Sequence, residues 1–216
     1  MRQRLDPLAG VVAVVLWVVG TFLLENTDRP EGKDSAAFAA WVRDNDVEII
    51  TGTVIFGFGV LFFLWFLGAL RTRLLDGEGG GGHLTSVAFA GGVATAVMMM
   101  ATYLPWAKAA FDNENMTDSA VEAVVQMGDA FFGGVELFAI VLLVGTGIVV
   151  RRTGAMPRWL GWVSFALALV LAIIPIGWIG VLIGLPLWTL LMAVILYRIG
   201  GGGPTATSSD TSPAAR

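Results

Sequence analysis

The chain has 216 residues, of which 56% are hydrophobic and only 14% charged, with a mean hydropathy of +0.77. Soluble domains carry about 25% charged residues, so this deficit places the chain in the membrane class. Cysteine is absent and His83 is the only histidine, which excludes disulfides, thiolate metal sites, iron–sulfur clusters and bis-histidine haem. The net charge of −4 is split by side, and no basic patch interleaved with aromatics points to nucleic acid.

Six apolar runs are long enough to cross about 30 Å of hydrocarbon at about 1.5 Å per residue. They cover residues 8–24, 48–70, 84–104, 124–150, 159–175 and 179–197. The first follows MRQRLDP, exceeds a signal-peptide core and lacks an A-x-A cleavage pattern, so it reads as a retained helix. The expected fold is an all-α, polytopic transmembrane bundle with a single domain over 1–199. A low-complexity tail, 200–216, is expected to be disordered.

Lysine and arginine set the expected orientation. Arg2, Arg4, Arg71, Arg73, Arg151, Arg152, Arg158, Arg198 and Arg216 fall on one side against four acids, a net of +5. Arg29, Lys33, Arg43 and Lys108 fall on the other against eleven acids, a net of −7. The basic side is therefore expected in the cytoplasm of a bacterial inner membrane, with both termini there.

The outer segments are uneven. Residues 25–47 include a turn at Pro30-Glu31-Gly32 and then SAAFAAWVRDN, where Phe38, Trp41 and Val42 share a helical face. A short helix over about 35–45 follows, either interfacial on the outer leaflet or packed on the bundle. In the next outer segment Ser119-x-x-Glu122 reads as a capping box. Residues around Pro175-Ile-Gly-Trp178 make the last two spans a tight hairpin.

The cytoplasmic loop GEGGGGH, 77–83, matches G-x-G-x-x-G only because it is a glycine run between membrane helices, and reads as a flexible linker. Met127-Gly128-Asp129 lacks the second intramembrane aspartate that an aspartyl protease needs, and no serine has a base beside it. Met98-Met99-Met100 reads as packing. No enzyme class finds its residues, and no cofactor or metal set is present.

The fourth run carries the one unusual pattern, VVQMGDAFFGGVELF at 124–138. At about 100° per residue, Glu122, Gln126, Asp129, Gly133 and Glu136 share an arc of about 80°. Such a stripe is expected to face other helices. Counting up from Arg151, Asp129 reaches about 33 Å, at the outer boundary, and Glu136 about 22 Å, inside the hydrocarbon. Thr21, Thr51, Thr53, Thr102 and Tyr103 are expected near the level of Glu136 and offer hydroxyl hydrogen bonds. Two readings remain: a proton- or cation-sensitive pocket around Glu136, Asp129 and Gln126 in a small transporter or sensor, or one buried acid that fixes packing. The leading reading is a structural or accessory membrane protein. The bilayer surrounds it, and another copy or another membrane protein is its candidate partner.

RTRLLDGEGGGGHLTSVAFAGGV at 71–93 and RRTGAMPRWLGWVSFALALV at 151–170 resemble small six-helix integral membrane proteins of high-GC actinobacteria that carry a domain of unknown function. In that pattern Arg-x-Arg-Leu ends helix two and Pro-Arg-Trp-Leu-Gly-Trp opens helix five. The resemblance extends over about residues 8–198 and implies the six-helix fold, but brings no activity or catalytic residues with it.

Overall fold

The computed structural model describes residues 6–25, 29–30, 34–173 and 176–200. Among them all regular structure is helical. The helices are α1 (Leu8–Glu25), α2 (Ser35–Asp44), α3 (Asp46–Glu78), α4 (His83–Phe111), α5 (Asp118–Thr153), α6 (Trp159–Ala172), the short α7 (Gly177–Ile179) and α8 (Leu185–Gly200). A five-residue π segment, Gly180–Gly184, joins α7 to α8. Among the described residues, five helical stretches are long and apolar enough to cross a membrane: α1, α3, α4, α5 and the continuous stretch Gly177–Ile199. Helix α6, at 14 residues, stops three residues short of the expected 159–175 run and rises only about 21 Å. Arg2, Arg4, Arg216, the tail beyond Gly200, Pro175 and most of the Pro30-Glu31-Gly32 turn lie outside the described residues.

Small residues decide which helices touch. A Cβ on Gly20 would stand 2.8 Å from the Gly52 carbonyl oxygen, and one on Gly10 would stand 2.8 Å from the Phe66 ring. Helix α1 therefore runs antiparallel to α3 along its whole length. Helices α4 and α5 cross just as closely, with Gly145 on Ala88, Gly134 on Met98 and Gly128 on the Thr102 carbonyl. Lipid tails are as apolar as leucine, so close van der Waals contact, not burial from water, holds such pairs together.

Helix α6 climbs back along α5 from Gly161, which meets Gly147, and α7–α8 descends along α6. Gly180 sits on Leu171 and Gly184 on Leu167. Lower still, the Trp188 indole N–H donates to Ser164 at 2.9 Å. The π segment has a local cause in Pro186, whose missing N–H and ring forbid an ordinary turn before it. The Leu185 N–H instead reaches five residues back to the Gly180 carbonyl.

The loop 77–83 is a tight reversal. Gly79, Gly80 and Gly82 have φ of +63°, +56° and +58°, a region that side-chain-bearing residues avoid. Glu78 then caps α4, accepting from Leu84 N and Thr85 N at 3.0 and 2.9 Å and from the Thr85 hydroxyl at 2.6 Å. Two of the N–H groups at the α4 N-terminus that a phosphate would need are thus occupied.

One helix start differs from the sequence expectation, and at another the structure decides between two readings. Helix α5 begins at Asp118 with Thr117 as its cap, so the Ser119–Glu122 box does not form. Helix α2 is capped by Asp34 and turns Phe38, Trp41 and Val42 into the bundle, where Trp41 meets Trp106 edge-on. It packs on the protein rather than lying on the lipid surface.

Candidate functional site

Three acids at seven-residue spacing on α5 each receive a different segment. Glu122 accepts from Ser35, the first residue of α2, and from Gln126. Asp129 accepts from Arg29 at 2.8 Å and from the Trp106 indole at 3.1 Å. Glu136 lies against Gly177 in the α6–α8 hairpin, its Oε1 2.6 Å from where a Cβ would stand.

The stripe straddles the edge of the packing face of α5 and does not point into the bundle. That face is Val121, Val125, Gly128, Val135, Ala139 and Leu142, all buried. It is centred about 100° around the helix from Asp129. Gln126 and Gly133 are exposed, and nothing lies within 4 Å of a Cβ built on Gly133. Among the described residues no hydrogen bond or ion pair reaches the Glu136 carboxylate.

The α6–α8 hairpin reverses at the level of Glu136, so it does not fill the outer half of the space between α1 and α5. Helices α1 and α8 touch near Gly10 and Ala193 and diverge from there. A cavity of about 290 Å³ occupies the gap. Its back wall is Trp17, Phe56, Met99, Tyr103 and Val135, all buried. Val181, Leu182 and Pro186 of the hairpin form the floor. Val18 and Phe22 of α1, 58% and 63% exposed, flank its lateral opening.

A second compartment, also about 290 Å³, shares Glu25, Thr102, Tyr103, Phe132 and Leu182 with the first and adds Arg29, Trp106 and Asp129. The two form one amphipathic space, with an apolar interior and a charged mouth. At the mouth Arg29 is held by Asp129 and lies over the Phe38 and Trp106 rings.

Of the residues singled out in the sequence, Thr21, Thr102 and Tyr103 line this cavity and Asp129 its mouth. Thr21 interacts with the Tyr103 hydroxyl. The remaining four are elsewhere. Glu136 is not among the residues that line either compartment. Gln126 and Thr51 are exposed. Thr53 is buried, its hydroxyl 3.5 Å from the Tyr103 carbonyl. The cavity is therefore centred a turn or more above Glu136, between α1 and α5.

Sequence reasoning overlooked Glu25, counted only among the outer acids. Its spacing of four from Thr21 and eight from Trp17 puts all three on one face of α1, which was the available signal. Lower in the bundle, Thr95, Ser164 and Thr189 donate to carbonyls of their own helices at 2.8–3.0 Å. The Thr146 hydroxyl, also buried, has no hydrogen-bond partner among the described residues.

No protein-family model, curated protein or solved structure matches this chain.

Proposed function

We propose that this is a six-span protein of a bacterial cytoplasmic membrane, with both termini inside. In this reading it is a non-catalytic accessory protein whose outer half binds an amphipathic small molecule. The charge asymmetry of the two ends supports the orientation. Because α6 and α7–α8 form a hairpin, they return the chain to the side it left, however deeply α6 penetrates. The reading remains compatible with the six-helix family resembled by residues 71–93 and 151–170.

The observation that carries the binding role is the cavity itself. At about 290 Å³ it is close to the lower end of small-molecule pockets, roughly 300–1,000 Å³, and it has their apolar wall with a few convergent polar groups. Its wall offers hydroxyls and one carboxylate, with no paired nucleophile and base, which favours binding over chemistry. Transport through Glu136 has less support, because the acid stands outside the space and three of the buried hydroxyls below it, Thr95, Ser164 and Thr189, are turned onto their own backbones.

The test is photolabelling in phosphatidylcholine nanodiscs with a dodecanol analogue carrying a terminal diazirine. Saturable adducts are expected on the back wall, at Trp17, Met99 and Val135, which bulk lipid does not reach. Adducts confined to outward residues such as Trp65 and Leu169 would sink the proposal.

A further inference from the structure

Resting on that reading, the structure allows the ligand's charge to be assigned. Among the described residues at the mouth, the charged groups are paired, except one. Arg29 is neutralised by Asp129 at 2.8 Å, and the Trp106 indole N–H is spent on the same carboxylate. The Thr102 hydroxyl donates to the Met98 carbonyl at 3.0 Å. Glu25 lines both compartments, and among the described residues no hydrogen bond or ion pair within 4.0 Å reaches its carboxylate.

We infer that the cavity takes a hydrophobic cation, whose positive group sits on the Glu25 carboxylate while its apolar body lies against Trp17, Phe56 and Val135. An anionic head would meet two carboxylates, Glu25 and Asp129, and find the one nearby guanidinium already engaged. A neutral head would leave the Glu25 charge at an apolar rim with only Arg29, already paired to Asp129, to offset it. A cation removes that mismatch and also finds aromatic faces, since Tyr103 and Phe132 line both compartments and rings attract positive charge. Val18 and Phe22 beside the lateral opening are exposed, so such a ligand reaches the site from the outer half of the bilayer, where amphipathic cations collect.

The experiment is competition against the diazirine label in the same nanodiscs. Dodecyltrimethylammonium, dodecanol and dodecyl sulfate share a chain and differ in head charge. Dodecyltrimethylammonium is expected to displace the label at roughly tenfold lower concentration than dodecanol, a gap of about 1.4 kcal/mol, with dodecyl sulfate weakest. Glu25→Gln should abolish the preference for the cation, so that dodecyltrimethylammonium and dodecanol displace the label at similar concentrations, and Glu25→Asp should keep it. Equal competition by cation and sulfate, or an unchanged preference in Glu25→Gln, would overturn the assignment. Those outcomes leave the cavity a binding site for neutral amphiphiles. Loss of all back-wall labelling in the wild type would instead remove the site itself.

Discussion

The Arg29 guanidinium and the Asp129 carboxylate, a hundred residues apart in sequence, meet at 2.8 Å, with the Phe38 and Trp106 rings 5.2 and 5.0 Å from the guanidinium carbon. This contact ties the α1–α2 connection, α2 and α4 to α5 at the cavity mouth. Both partners are 38% exposed, so the ion pair alone contributes about 0–1 kcal/mol. The two ring faces add about 0.5–1 kcal/mol each at such a site. Arg29→Ala is therefore expected to destabilise more than Asp129→Asn. A double-mutant cycle on the two positions should give a coupling below about 1 kcal/mol. Unfolding in mixed micelles measures both. A larger coupling would mean that the pair is drier than its exposure indicates.

The small residues of α5 divide sharply by face. A Cβ on Gly128 would meet the Thr102 carbonyl oxygen at 2.4 Å, whereas one on Gly133 meets nothing within 4 Å. Gly128→Ala should cost about 1–3 kcal/mol by forcing α4 and α5 apart. Gly133→Ala should be neutral or stabilise by about 0.5–1 kcal/mol, the usual helix preference of alanine over glycine. Were Gly133→Ala the more damaging of the two, the polar stripe would after all be the packing face.

Helix positions were readable because composition and length dictate them in hydrocarbon. Residues 8–24, 48–70 and 84–104 each fall inside an observed helix. What escaped was relational. The cavity exists because one hairpin is short, and no residue advertises a vacancy. Glu136 drew attention by its depth, yet its neighbour is Gly177, forty-one positions on, whose packing no periodicity predicts. Glu25 sits where an apolar run simply ends, so its role at the mouth becomes visible only when α5 and the π segment are placed beside it.

The contact between Glu136 and Gly177 separates the packing role of this acid from any other. A Cβ at Gly177 would stand 2.6 Å from Glu136 Oε1 and 3.0 Å from the Leu171 carbonyl. Gly177→Ala should destabilise by about 1–3 kcal/mol through overpacking, and adding Glu136→Ala should recover part of that loss by vacating the space. Glu136→Gln, which keeps the shape, should leave amphiphile binding at the outer cavity unchanged. Strict additivity of the Gly177 and Glu136 substitutions would mean that the two do not compete for one volume.

The absence of cysteine makes the threading directly measurable with single introduced thiols. Ala40 is exposed on α2, near the end of the bundle where acids outnumber bases, and Gly81 is exposed in the α3–α4 turn, near Arg71 and Arg73. Lysine and arginine excess marks the cytoplasmic side, so a cysteine at Ala40 should react with an impermeant maleimide on intact cells. One at Gly81, where φ is not positive and a side chain is tolerated, should react only after permeabilisation. A third thiol at Arg158, exposed at the start of α6, should behave like Gly81, because the hairpin begins at the basic end. Labelling of the Arg158 position on intact cells with Gly81 protected would mean that α4 and α5 do not both cross the membrane, and would break the six-span count. Labelling of Gly81 with Ala40 protected would invert the protein, and the cavity mouth would then face the cytoplasm.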